Sequence, residues 1–134
     1  MVDERAPRWG GTVPMTEARY QMIAGLIGPS LSEIRCEPIP INSPSGDEQK
    51  ALYVIVNHAG YICYGGRTSR QSSQAASKRI RREHLQDAAK RENWSAYWVF
   101  PLKPDTSTAK MRQLEREMVS RLGLSLVRYA RRGR

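Results

Sequence analysis

Two runs of strand-forming residues separated by a short turn constrain the fold of this chain more than any other feature of its sequence. The first run is Leu52–Val56 and the second is Tyr61–Tyr64, and both are rich in β-branched and aromatic residues. Between them lies Asn57–Gly60, whose asparagine and glycine are typical of turns. Strands this close in sequence pair antiparallel, so we predict a β-hairpin.

Helical and strand patterns alternate after the hairpin. The link Arg70–Ser77 leads into a helix predicted to continue to about Glu92, and a third strand is predicted over Ser95–Leu102. A further helix is predicted over about Thr106–Leu122, with Gly123 just beyond its end. The candidate N-caps of that helix are Asp105, Thr106 and Ser107. We therefore predict an α/β fold in which a small three-stranded, mainly antiparallel sheet is flanked by helices.

The first 49 residues differ in character and are predicted to form an N-terminal helical extension. Residues 1–15 contain Gly and Pro without periodicity and predict an arm. Apolar residues at helical spacing then begin behind Thr16, a candidate N-cap, and Gly28-Pro29 predicts the helix end. The Pro-rich connection that follows leaves room for a short strand near Ile39–Ile41. The predicted organisation is an extension over 1–49, a domain over 50–128 and a basic tail over 129–134, with one further short strand possible near the C-terminus.

The basic residues are distributed unevenly along the chain. The net charge is +9, yet residues 1–49 carry four Arg and seven Asp or Glu, so the basic excess lies in the last 85 residues. Seventeen of the 22 cations are Arg, whose planar guanidinium binds phosphate oxygens in pairs. This favours a polyanionic partner, and nucleic acid is the first candidate. The alternative is an ordinary solvated surface in an Arg-rich chain.

No segment of the sequence predicts a membrane span or a secretory signal. The longest apolar run, Ala51–Val56, has six residues, whereas a span needs about 20. The N-terminus mixes both charge signs and has no apolar stretch behind it. Cys36 and Cys63 lack the spacing of a metal site or a disulfide framework, and we expect both to be reduced. These features predict a cytoplasmic protein with no membrane partner.

Glu115 stands out on the last predicted helix because its neighbours on the same helical face are apolar. Those neighbours are Met111, Met118, Val119 and Leu122. A carboxylate on such a face is costly unless it is paired or binds a cation. Two interpretations follow: Glu115 is a functional ligand, or the helix is rolled so that Glu115 lies at the rim and pairs with Arg112 or Arg116.

The hairpin is predicted to bring a second group of polar residues together. Tyr53 lies near the start of the first strand and Tyr64 at the end of its partner, where Gly65, Gly66 and Arg67 follow at once. The two phenols would then lie beside a backbone that a ligand can approach closely. The alternative is a pair of ordinary strand tyrosines followed by glycines that end the strand.

The spacing of the two tyrosines resembles the GIY-YIG nuclease superfamily, a small α/β fold with one triplet on each of two paired strands. Here the triplets are Ala51-Leu52-Tyr53 and Tyr64-Gly65-Gly66. Ala51 stands where the family has its first Gly, and Gly65 stands where it has Ile. The resemblance covers about residues 50–128.

The family then has an Arg on the following helix, often a His one turn later, and a Glu on a later helix. Arg79, His84 and Glu115 stand in those places. Arg79 and His84 are five residues apart where four is usual, so Arg81 and Arg82 remain alternatives to Arg79.

The resemblance implies a metal-dependent endonuclease that hydrolyses phosphodiester bonds in nucleic acid, with DNA favoured over RNA. Glu115 would hold Mg²⁺ or Mn²⁺, and Arg79 would bind the scissile phosphate. Tyr53 would position or deprotonate the attacking water, with Tyr64 assisting. His84 would act near the phosphate or serve as a half-buried spacer.

Further arginines are expected to contact nucleic acid. They are Arg67, Arg81, Arg82, Arg128, Arg131 and Arg132. Two other functions fit the same residues: a nucleic-acid-binding module of this fold that does not cleave, and a domain that binds an acidic protein.

Overall fold

The computed structural model describes residues 13–124. Within this range the chain forms four α-helices and four β-strands, and a 3₁₀ turn over Gly28–Ser30 follows the first helix. The order is α1 (Glu17–Ile27), β1 (Ile39–Pro40), β2 (Lys50–Val56), β3 (Ile62–Ser69), α2 (Ala75–Gln86), α3 (Ala88–Asn93), β4 (Ala96–Leu102) and α4 (Thr108–Arg121). No helix in this range is long and apolar enough to cross a membrane.

The strands form one antiparallel sheet in the order β1-β4-β2-β3. The predicted α/β class and antiparallel pairing are confirmed, but the predicted number of three strands is wrong. The fourth strand is β1, which pairs Ile39 with Tyr97 and Pro40 with Ala96 at the outer side of β4. Pro40 cannot donate a backbone hydrogen bond, so it fits only a sheet edge. The short strand for which the Pro-rich connection leaves room near Ile39–Ile41 is therefore present over Ile39–Pro40.

The hairpin extends further than its pattern predicts. Gly65 and Gly66 do not end the strand, because β3 continues to Ser69 with Gly65 opposite Val54 and Arg67 opposite Leu52. Pairing with a long central strand therefore outweighs the low strand propensity of the two glycines.

The helix ends follow side-chain caps. Thr16 accepts a hydrogen bond from the Arg19 amide at 3.1 Å, which confirms it as the cap of α1, and Ser107 caps α4 in the same way. The single helix predicted to run to about Glu92 is instead two helices, α2 and α3. Asp87 interrupts it because its carboxylate accepts hydrogen bonds from the first amides of α3, which ends one helix and begins the next.

The sheet is covered on both faces. α1 and α4 pack on one face, where Leu52, Val54 and Phe100 meet Met118 of α4. α2 and Trp94, which follows α3, cover the other face; the sheet residues buried there are Ala51, Tyr53, Ile55, Tyr64, Tyr97 and Val99. The extension takes part in this packing through Tyr20 of α1, which stacks on Phe100 at 4.2 Å and donates a hydrogen bond to the Val99 carbonyl at 2.6 Å.

A buried carboxylate joins this extension to α2. Glu48, whose side chain is 0% exposed, accepts hydrogen bonds from Arg35 at 2.8 Å, from the Ala76 amide at 3.0 Å and from the Ser45 hydroxyl. Gln74, at the start of α2, makes no side-chain capping bond, so Glu48 supplies the cap from a distant part of the chain. Burial alone would raise the pKa of Glu48, but Ser45, Arg35 and Ala76 hold it below its ordinary value.

We expect Glu48→Gln to lower the free energy of unfolding by about 3–5 kcal/mol at neutral pH, because it leaves Arg35 without its buried partner. Because the pKa of Glu48 is lower in the folded state, its contribution is complete above the unfolded value of about 4.3 and is lost as pH falls through the folded value. Urea unfolding at neutral and acidic pH measures both effects.

Asp47→Asn is the matched control. Asp47 contacts the same Arg35 guanidinium at 2.9 Å, but its side chain is 89% exposed, so its loss should cost less than about 1 kcal/mol. Equal losses in the two variants would contradict the capping role of Glu48.

Candidate functional site

The two tyrosines of the hairpin lie together on the face covered by α2. Tyr64 is opposite Ile55 and Tyr53 is opposite Gly66, and the two phenol rings are 5.9 Å apart between centroids. Trp94 packs on Tyr64 at 5.5 Å and on His84 of α2 at 6.1 Å. The structure thus brings the predicted residues Tyr53, Tyr64 and His84 into one cluster, in which Trp94 contacts Tyr64 and His84.

Gly66 makes this arrangement of the tyrosines possible. A Cβ at this position would lie 2.8 Å from the Tyr53 hydroxyl oxygen and 3.1 Å from the Tyr64 ring. The Tyr53 ring therefore occupies the space that a side chain on β3 would fill. The requirement for glycine comes from close approach.

Arg79 projects from α2 to the same cluster. Burial alone would lower the pKa of its guanidinium, but the Tyr53 hydroxyl, Glu83 and Tyr64 outweigh this and raise the pKa above its ordinary value. Nη2 of Arg79 lies 3.5 Å from Glu83 Oε1. The side chain remains 40% exposed, so Arg79 connects the buried tyrosines with the surface.

His84 lies deeper than Arg79. It is 8% exposed, and its Nε2 atom is buried with no hydrogen-bond partner among the described residues. Burial holds the pKa of His84 below its ordinary value, and the Arg91 charge acts in the same direction. Both of these effects favour the neutral imidazole, while a hydrogen bond with the Arg91 backbone opposes them.

A cavity of about 660 Å³ opens where the end of β3 meets α2. We call this cavity the arginine groove. Its lining residues are Thr68, Ser69, Arg70, Gln71, Ser72, Arg79 and Arg82. Three guanidinium groups, an amide and three hydroxyls line it, and no carboxylate is among these residues.

The three arginines of α2 that are candidates for the phosphate contact lie in different surroundings. Arg79 and Arg82 are three residues apart and share a helical face, so both reach the arginine groove. Arg81 is exposed and lies near Tyr97 instead: burial raises the pKa of Tyr97 to about 12, and the Arg81 charge partly counters this.

Glu115 and Arg67 form an ion pair on the other face of the sheet. Arg67 Nη1 lies 2.8 Å from Glu115 Oε1, and Glu115 is only 6% exposed. The interpretation that Glu115 lies at the rim beside Arg112 or Arg116 is wrong, because its partner comes from β3. Arg67, expected at a phosphate, is therefore paired within the protein.

Glu115, the residue predicted to hold a divalent metal, does not lie beside the tyrosines. Its Oε1 atom binds Arg67, which leaves β3 on the face opposite to Tyr53. Within residues 13–124 no three His, Cys, Asp or Glu side chains are grouped as a metal site.

Some predicted residues lie outside the described range, and some functional candidates escape sequence reasoning. Arg128, Arg131 and Arg132 and the possible last strand fall after residue 124. Arg70 was not predicted as a site residue, because the predicted strand ended before Gly65 and the sequence did not place Arg70 at the end of β3.

Comparison with protein-family models, with curated proteins and with solved structures gives no match for this chain. The candidate site therefore rests on its own geometry.

We expect Gly66→Ala to displace the tyrosines, because its methyl group would overlap Tyr53. Overpacking of this kind costs about 1–3 kcal/mol. Gly65→Ala is the control, since the closest atoms to its methyl group would be the flexible ends of Leu124 and Met118, at 3.3 and 3.4 Å, and the Tyr53 carbonyl oxygen would lie at an ordinary contact distance of 3.8 Å. Denaturant unfolding and near-ultraviolet circular dichroism compare the two, and a larger change in Gly65→Ala would contradict the packing role of Gly66.

Proposed function

We propose that this chain binds the phosphate backbone of nucleic acid in the arginine groove, and that DNA is favoured over RNA as the partner. The observation that carries the proposal is the grouping of Arg70, Arg79 and Arg82 around one cavity whose lining includes no carboxylate. Guanidinium groups bind phosphate oxygens through paired hydrogen bonds, and the serine and threonine hydroxyls of the groove add further donors.

The surroundings of Arg79 support this function. Arg79 keeps its charge where it lines the groove, because Tyr53, Glu83 and Tyr64 outweigh the effect of burial on its pKa. Arg70 and Arg82 approach from a loop and from the next turn of α2. These contacts would be made to the phosphate backbone of the nucleic acid and not to its bases, so they predict binding with little sequence preference.

Phosphodiester hydrolysis is the second candidate function. The observation that favours it is that Arg79 lines the groove while its guanidinium interacts with the buried Tyr53 behind it. The guanidinium would stabilise negative charge that develops on a phosphoryl group bound in the groove. The divalent ion implied by the family resemblance would supply a stronger nucleophile, but no step is assigned to it because Glu115 and Tyr53 lie on opposite faces of the sheet.

We expect Arg82→Ala and Arg70→Ala each to weaken binding to duplex DNA and to reduce the slope of log affinity against log salt by up to about 0.9. Arg81→Ala, which removes the same charge from the same helix as Arg82→Ala, should change the slope less because Arg81 lies outside the groove. Fluorescence anisotropy over a salt series measures the slopes. Equal slopes for all three variants would contradict the groove as the binding site.

For the second candidate, we expect the full chain to nick supercoiled plasmid in the presence of Mn²⁺ and to stop when chelator is added. Arg79→Lys should reduce cleavage by at least about tenfold while retaining most of the affinity, because it keeps the charge and loses the guanidinium fork. Binding without cleavage would leave the backbone-binding function and exclude the hydrolytic one under those conditions. Cleavage that persists undiminished in Arg79→Lys would contradict the role of Arg79.

A further inference from the structure

Glu83 connects the arginine groove to a second cation. It follows Arg79 by one helical turn on α2, and its carboxylate contacts Arg79 through Oε1 and Lys90 of α3 through Oε2. Neither Glu83 nor Lys90 lines the groove. One carboxylate outside the groove is therefore shared between an arginine that lines it and a lysine that does not.

The two contacts of Glu83 differ in length. The distance to Lys90 Nζ is 2.9 Å, which is typical of a charge-assisted hydrogen bond, whereas the distance to Arg79 Nη2 is 3.5 Å. Lys90 is itself held in place, because its Nζ lies 5.2 Å from the centre of the Trp94 ring. The carboxylate is thus bound more closely to Lys90, and Arg79 receives only part of its charge.

We propose that Glu83 is a positioning residue that competes with phosphate for Arg79, and that Lys90 limits this competition by holding the carboxylate. This inference rests on the proposed function, since it sets the affinity of the same groove. A phosphate that reaches Arg79 must replace the attraction of Glu83. Removing Glu83 frees Arg79, and removing Lys90 lets Glu83 neutralise Arg79 more completely.

Glu83→Gln tests the first half of the proposal. We expect it to bind fluorescein-labelled DNA duplex about two- to fivefold more tightly than the unaltered chain, the factor that corresponds to one partly exposed ion pair. A residue with a merely structural role would not raise affinity when replaced. Glu92→Gln is the matched control, because it removes the same charge from an exposed position on α3. An equal gain in Glu92→Gln, or no gain in Glu83→Gln, would overturn the proposal.

Lys90→Met, made in the unaltered chain and in Glu83→Gln, tests the second half. We expect it to weaken binding in the unaltered chain and to have a much smaller effect in Glu83→Gln, because Lys90 acts through Glu83. Equal losses in both backgrounds would show that Lys90 acts on the phosphate directly and would overturn this half. Should Glu83→Gln fail to fold, Glu83→Asp withdraws the carboxylate by one methylene and should give a smaller gain in affinity, because it lengthens the contact with Arg79 but keeps the charge.

Inorganic tripolyphosphate, measured by calorimetry on the same variants, separates this inference from the proposed function. If tripolyphosphate binds with the expected order of affinities and DNA does not bind, the competition by Glu83 stands and the nucleic-acid function fails. If DNA binds but the variants do not differ, the function stands and the competition fails. Absence of binding to either probe overturns both.

Discussion

The buried carboxylate of Glu48 is the interaction on which the position of the candidate site depends. It caps α2, which has no side-chain cap of its own, and it binds Arg35 of the extension. Arg79 and Arg82 are carried by α2, so the direction of that helix decides where both guanidinium groups lie. Displacement of either Glu48 or Arg35 would leave an unpaired ion in the interior, and this cost holds both side chains in place. The extension thereby fixes the site without contributing a residue to the arginine groove.

The glycine pair of β3 leaves space for other side chains on both faces of the sheet edge. The central strand β2 is buried on both faces, so the sheet offers no exposed surface at its centre. β3 lies at the edge, and its two glycines leave space on each face: Tyr53 occupies the space above Gly66, and Met118 and Leu124 approach Gly65. The edge strand can therefore carry polar groups that a central strand would have to bury.

Features encoded in consecutive residues could be predicted from the sequence, and features made by distant partners could not. The hairpin, the antiparallel sheet and the cap at Thr16 all have local signals. The pairing of Arg67 with Glu115 joins residues 48 positions apart, and no periodicity indicates it. The apolar face of the last helix predicts that Glu115 needs a partner, because an ionised group on such a face is costly. The pattern along one helix indicates partners on that helix only, so Arg67 could not be predicted. The tyrosines were found because a short turn fixes which strands meet.

The ion pairs within the fold determine which arginines of the basic excess can bind an external anion. Net charge counts every arginine alike, but Arg35 and Arg67 are each bound to a buried carboxylate at 2.8 Å, and each compensates a charge that the fold has buried. Such cations are costly to divert to an external anion, because a buried carboxylate would lose its ion pair. Arg70 and Arg82 have no ion pair among the described residues, and both line the groove where Arg79 is only partly neutralised. Affinity for a polyanion should therefore follow the arginines that the fold leaves available, and in the arginine groove Arg70 and Arg82 lie beside Arg79, whose charge Glu83 neutralises only in part.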